Sequence, residues 1–290
     1  MLTALIKTMR PRQWPKNIFI FAALVFDKQL LNTHAFLQTL AGVALFCLIS
    51  SAVYVFNDIA DVKADRQHPE KKNRPIASGK LPVSIAWVAG ILLVTLTLAA
   101  AYFFLPRAFV YVLLIYFLLN MAYSKWLKHI PIVDVLVLAA GFVLRVHAGV
   151  TLIEVERFSP WLYVVMTMLS LFLGFGKRRA ELALLAHGAG SHRKVLEGYT
   201  LPLLDQYIMM VSGMTIISYS LYTFSAPNVP ENHSMMLTIP FVVYMIFRYQ
   251  YLVEIEHAGG APEDVLLLDR PFQIAMVLWA ATVLAIFYFS

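Results

Sequence analysis

The chain alternates long apolar runs with short polar gaps. A bilayer crossing takes roughly 20 apolar residues in a helix, and fewer where neighbouring helices bury it. Nine runs meet that measure: 17–31, 35–56, 84–105, 107–123, 132–153, 160–176, 203–224, 236–253 and 270–289. The first, fourth and sixth are short. The pattern predicts an all-α membrane protein with nine transmembrane helices in a single domain, 1–290. Four bases, Lys7, Arg10, Arg12 and Lys16, precede the first run as they would in a signal peptide, but no A-x-A-like site follows. The first run is therefore expected to be retained as a span.

Composition sharpens this picture. Of 290 residues, 60% are hydrophobic and 14% charged, well outside the usual balance of a soluble domain. The lone cysteine, Cys47, lies in an apolar run, so no intrachain disulfide can form. A net charge of +6 would suggest nucleic acid in a soluble chain, but here the placement of the bases decides the reading. Segments 1–16, 57–83, 124–131 and 177–200 hold four, six, two and five Lys/Arg, 17 in all, while the alternate segments hold only Lys28, Arg107 and Arg157. Basic loops stay on the cytoplasmic side. The N-terminus is thus expected inside, with any reactive site at the cytoplasmic rim of a plasma (cell inner) membrane. Membrane lipid, not nucleic acid, is the expected environment.

The segment "NDIADVKADRQHPEKKNRPIASGKLP", Asn57 to Pro82, carries the most chemistry. Asp58, Asp61 and Asp65 are three and four residues apart, which puts them on one face of a helix continuing out of the second run. Like charges at that spacing repel, and carboxylates at a helix C-terminus oppose its dipole. A cation relieves both conflicts. Mg²⁺ takes one or two carboxylates together with phosphate oxygens and water, so the three aspartates are candidate metal ligands and catalytic residues, with Asn57 beside them as a candidate for substrate binding. Lys71, Lys72, Arg74 and Lys80 follow and suit a phosphate. Arg74-Pro75 is expected to end helical structure and Gly79 to permit a turn.

Two further polar segments lie on the same side. In "YSKWLKHIPIVD", Tyr123, Lys128 and Asp134 are candidates for substrate binding, and Arg145 follows eleven residues after Asp134 on the same helical face. Ionisable groups at membrane depth face a polar cavity or each other, so Asp134 and Arg145 either contact substrate or pair mutually. In "GKRRAELALLAHGAGSHRKVLEGYT", Lys177 and Arg178 open a basic segment that includes Arg193 and ends at Tyr199. Bases at a helix exit can hold a phosphate.

Four stretches together resemble one family. "MRPRQWPKN" (Met9–Asn17), "NDIADVKADRQHPEKKNRPIASG" (Asn57–Gly79), "YSKWLKHIPIVD" (Tyr123–Asp134) and "GKRRAEL" through "LEGYT" (Gly176–Thr200) make the whole chain similar to the UbiA superfamily of intramembrane prenyltransferases. Within it, the third basic segment resembles the decaprenyl-phosphate phosphoribosyltransferase branch, which serves arabinan-precursor synthesis for the cell wall. Aromatic prenyltransferases carry a second aspartate-rich motif after the sixth span, whereas here Lys177, Arg178 and Arg179 stand there. The resemblance implies a UbiA-like bundle, Mg²⁺ as cofactor, phosphoribosyl diphosphate as donor and a polyprenyl phosphate as acceptor, and it leaves room for a homo-oligomer. A UbiA-type enzyme moving a prenyl group from its diphosphate to an aromatic acceptor is the alternative. A transporter or lipid-binding scaffold is the non-catalytic rival. Charge gathered at one rim, rather than at interrupted spans near the midplane, argues against it.

Overall fold

The computed structural model describes residues 1–69, 71–155, 159–186, 194–255, 265 and 268–289. Arg157 and Arg193, two of the bases used above, lie outside the described residues. Every regular element among the described residues is helical. Among the described residues, eight helices are long and apolar enough to cross a membrane. The chain divides into two compact units, the first formed by Met1–Val25, Gln29–Lys128 and Leu144–Val155, the second by Phe26–Lys28, His129–Val143 and Glu156–Ser290.

The first unit is built on α3 (Thr33–Ala60), which packs against α5 (Val83–Phe104), α6 (Arg107–Lys125) and the N-terminal helix α1 (Leu2–Met9). Phe46, Ile49, Ala52 and Val55 of α3 are fully buried. Asn32 starts α3 by accepting from the amides of His34 and Ala35 at 3.1 and 3.3 Å, which satisfies two of the orphan donors of the first turn. The first expected span does not form one α-helix. Pro11–Ile20 is a 3₁₀ stretch and only Phe21–Phe26 (α2) is α-helical. Pro11 and Pro15 lack the amide hydrogens an α-helix needs, and the tighter helix is tolerated in short pieces. The backbone of this stretch also comes very close to α7 (Val133–Leu152): a Cβ on Gly149 would lie 2.0 Å from the Ile20 carbonyl oxygen.

The second unit is built on α8 (Pro160–Ala186), α9 (Leu201–Ser225), α10 (Ile239–Glu254) and α11 (Arg270–Phe289), with α8 on α9 and α10 on α11 as main pairings. Phe172, Phe175, Leu204, Ile208, Val211 and Leu252 form its core. Helix α8 continues past the expected end at 176 to Ala186. The motif "GKRRAEL" is therefore helix, not loop. Lys, Arg, Ala, Glu and Leu all favour helix, and Arg178 and Glu181 pair at i,i+3.

Candidate active site

The aspartate motif does not form one continuous helical face. Helix α3 ends at Ala60, Asp61 adopts φ −91° and ψ 2°, and a short helix α4 (Val62–Gln67) follows. The jog brings Asp58 and Asp65, both buried, to one cation. Arg74 Nη1 lies 3.1 Å from Asp58 Oδ1 and 2.8 Å from Asp65 Oδ2. Arg10 Nη2 donates to the same Asp58 oxygen at 2.5 Å. Asp61 instead meets Lys128 at 3.1 Å. The expected set of three aspartate ligands is thus split into two plus one. Among the described residues no three acidic, His or Cys side chains gather as a metal-binding group.

Two buried carboxylates sharing the Arg74 guanidinium still mark a place that demands positive charge. Beside them, Asn57 Oδ1 is buried and accepts no hydrogen bond among the described residues. A buried amide oxygen without a partner is costly, and Asn57 offers this neutral oxygen one residue from Asp58 in the chain. This donor set fits a hard divalent cation, which needs only one or two protein carboxylates when substrate supplies the rest. The turn after Arg74 is as expected: Gly79 takes φ 79°, open to glycine at no steric cost. Lys71 is half-buried in the 3₁₀ turn Lys71–Asn73, its amide donating to His68 Nδ1. Tyr123 is half-buried near the end of α6.

In the second unit, Asp134 and Arg178 make a sealed pair. Arg178 Nε donates to Asp134 Oδ2 at 2.6 Å, with side chains 1% and 0% exposed. Arg178 Nη1 also reaches Glu181 at 2.7 Å. The Tyr199 hydroxyl donates to Asp134 Oδ1 at 2.8 Å and accepts from the Ile132 amide. Burial pushes the Tyr199 hydroxyl above the usual tyrosine range, with the Asp134 carboxylate adding to the shift and the Ile132 hydrogen bond opposing it. Tyr199 therefore stays protonated and keeps donating. Lys177 is half-buried and makes no hydrogen bond or ion pair among the described residues. Arg145, in the first unit, donates to Asn17 Oδ1 at 2.8 Å and to the Tyr116 hydroxyl at 2.9 Å, and stacks over Phe46 and Tyr116. The shared helical face of Asp134 and Arg145 thus serves two different sets of partners.

Sequence reading missed Arg10 as a partner of the motif, although it stands in the quoted "MRPRQWPKN". It named Arg179 as one of the third segment's bases but not its partners: Arg179 pairs with Asp205 at 2.5 Å and with Glu254. A cavity of about 590 Å³ opens beside Arg179 and is walled by Ile208, Met209, Phe247 and Tyr251. None of the candidate site residues lines it, so it is not the expected phosphate site.

Residues 17–261 match the UbiA prenyltransferase family. The chain belongs to that family. Its membership makes the chain a multi-pass membrane protein of a transferase family. The chain is 32% identical to the decaprenyl-phosphate phosphoribosyltransferase of Mycobacterium tuberculosis over 98% of its own length and 94% of that protein. It is also 32% identical to the protein of that name from Corynebacterium glutamicum, over 98% and 86%. Among solved structures, a UbiA homolog from Archaeoglobus fulgidus bound to GPP and Mg²⁺ superposes with a TM-score of 0.74 at 18% identity, covering 98% of this chain and 99% of that one. At that identity the likeness establishes the fold: an all-helical UbiA bundle.

Proposed function

We propose that the chain transfers the 5-phosphoribosyl group of phosphoribosyl diphosphate to a polyprenyl phosphate of the decaprenyl type, releasing diphosphate. The observation that carries this reading is the near-full-length identity with proteins named for that transfer. The local chemistry supports it. Both substrates are anions, and segment Gly176–Thr200 offers bases where an aromatic prenyltransferase would carry acids. Positive-inside bias supports an N-terminus and reacting face in the cytoplasm of a plasma-membrane protein. In this reading Pro11–Phe26 counts as part of a ninth crossing, and both compact units serve one activity.

The transfer forms a bond from an acceptor phosphate oxygen to the anomeric carbon. The carbon–oxygen bond to diphosphate breaks, and its electron pair leaves with the diphosphate. The acceptor phosphate is already an anion near neutral pH, so no strong general base is required. Holding anions together is the harder task, and positioning with fixed countercharge supplies it. Asp58, Asp65 and Asn57 would hold Mg²⁺, with Asp61 reaching it if Lys128 turns to substrate. When bound, the metal would neutralise charge on the leaving diphosphate. Arg74, Lys71 and Lys128 supply donors for phosphate oxygens, and Tyr123, five residues before Lys128 in the chain, is kept as a candidate for the same substrate. Lys177 is one base among the described residues that remains open for a phosphate in the second unit. Arg178, sealed against Asp134 and Tyr199, positions its helix; Arg145 does the same for Asn17 and Tyr116.

The test uses purified full-length protein in nanodiscs with Mg²⁺. One arm supplies radiolabelled phosphoribosyl diphosphate and decaprenyl phosphate; the other supplies prenyl diphosphate and 4-hydroxybenzoate. Labelled lipid in the first arm alone is the expected result. Product only in the second arm would make the chain an aromatic prenyltransferase instead.

A further inference from the structure

Arg10 is held in a way that an ordinary surface arginine is not. It takes a left-handed backbone conformation, φ 53° and ψ 62°, between α1 and the 3₁₀ stretch. Residues other than glycine seldom adopt it, and they keep it only where the surroundings over-determine it. Here one side chain of α3 sits between both flanks. Ser51 Oγ accepts from Trp14 Nε1 at 3.0 Å, and its hydroxyl faces the carbonyl oxygens of Cys47 at 2.7 Å and Met9 at 3.1 Å. The guanidinium rests 4.8 Å above the Tyr54 ring and meets Asp58 Oδ1 at 2.5 Å. It is nevertheless a third exposed to solvent, whereas Asp58 is buried. The clamp thus fixes the backbone and leaves the head of a long side chain free to swing.

Asp58 already has a second cation in Arg74, which it shares with Asp65. Two guanidiniums on one buried oxygen occupy directions from which a divalent ion would approach. We propose that Arg10 is a resident countercation: it holds the charge of Asp58 while the site awaits its metal, competes with that metal, and once displaced turns to the incoming diphosphate. This rests on the reading of Asp58 and Asp65 as metal ligands. It assigns Arg10 a positioning role toward both metal and donor. A site of this kind does not take up a bare metal strongly; the metal enters best with the anion that gives Arg10 somewhere to go. The order follows from charge alone, because removing one unit charge within hydrogen-bond distance of a ligand strengthens a competing cation by about tenfold or more.

The experiment titrates Mn²⁺ into full-length protein in nanodiscs, without substrate, and reads free Mn²⁺ by electron paramagnetic resonance. Arg10→Gln is expected to bind Mn²⁺ about tenfold tighter than the natural chain, and Arg10→Lys to stay within about threefold of it, since the charge is kept. At saturating Mn²⁺ the same Gln variant should show a KM for phosphoribosyl diphosphate raised by about tenfold. Unchanged or weaker Mn²⁺ binding by a Gln variant that melts like the natural chain overturns the proposal. Should the Gln variant not fold, phenylglyoxal labelling of the Arg10 guanidinium on the natural chain, read by mass spectrometry, decides: it should rise with Mn²⁺ alone and fall again when diphosphate follows. No change overturns the idea. If no form of the protein binds Mn²⁺ while transfer still proceeds, the metal reading fails and takes this inference with it, but the transfer reading stands.

Discussion

Two charged clusters, one in each unit, solve the same problem differently. Asp58 and Asp65 are buried acids whose cations come from outside the helix that bears them. Arg10 and Arg74 reach in with side chains 32% and 28% exposed. Asp134 and Arg178 bury both partners, and Tyr199 and Glu181 use up their remaining valences. A buried charge with a half-exposed partner can exchange that partner for another cation at modest cost. A pair sealed on both sides can only be kept or broken. Chemistry suits the first arrangement, and helix register suits the second.

The comparison breaks most readily at the sealed pair. Replacing Asp134 with Ala leaves the buried Arg178 guanidinium without the carboxylate at its Nε, and losing one partner of a buried pair costs about 3–5 kcal/mol. Thermal melts in detergent should show a drop of many degrees, and a joint Asp134→Leu, Arg178→Met change should recover most of it. The open cluster should respond the other way. Asp58→Asn is expected to lower kcat by about 10²–10³-fold in the labelled-lipid assay, with little change in melting temperature. A large loss of stability there would mean that this cluster, too, is structural.

Smaller changes sharpen the distinction. Tyr199→Phe removes a donor to Asp134 and an acceptor for the Ile132 amide, a loss of about 1–2 kcal/mol. Because the folded-state pKa of Tyr199 is raised, its contribution is complete below the unfolded value near 10 and fades as pH rises through the higher folded value. Melts of the natural and Phe proteins should therefore converge only in strong alkali. Asp269 has the opposite sign. Its carboxyl is held below the ordinary range by the Arg248 hydrogen bonds. Its contribution, about 1 kcal/mol or less, is present above the unfolded pKa near 4 and lost as pH falls through the folded value. Asp269→Asn should lower stability slightly at pH 7, and the gap should close toward pH 3.

Sequence and structure part at definite residues. Apart from the end of the run at 160–176, the runs from 35–56 onward return as helices within a few residues, because hydropathy is a property of each segment and a bilayer imposes a length on it. The run at 17–31 did not: the 3₁₀ stretch that holds Pro11 and Pro15 runs into it as far as Ile20, and the backbone turns after Phe26, with Lys28 at φ 57°. The end of α8 lay ten residues further than the apolar run, because charged residues that leave the membrane still favour helix. Spacing foretold that Asp58 and Asp65 would be neighbours, but not that Asp61 would turn to Lys128, since that depends on a single residue at φ −91°.

By itself the sequence determined an all-helical membrane chain, the acid motif at the end of α3, the bases near it and the family they belong to. Only the tertiary structure decided which cation meets which acid: Arg10 with Asp58 across 48 positions, and Arg178 with Asp134 across 44. Spacing along a helix fixes direction within about two turns. Beyond that range, a charge is satisfied by whichever side chain the packing of helices delivers, and one sequence read locally carries no record of that choice.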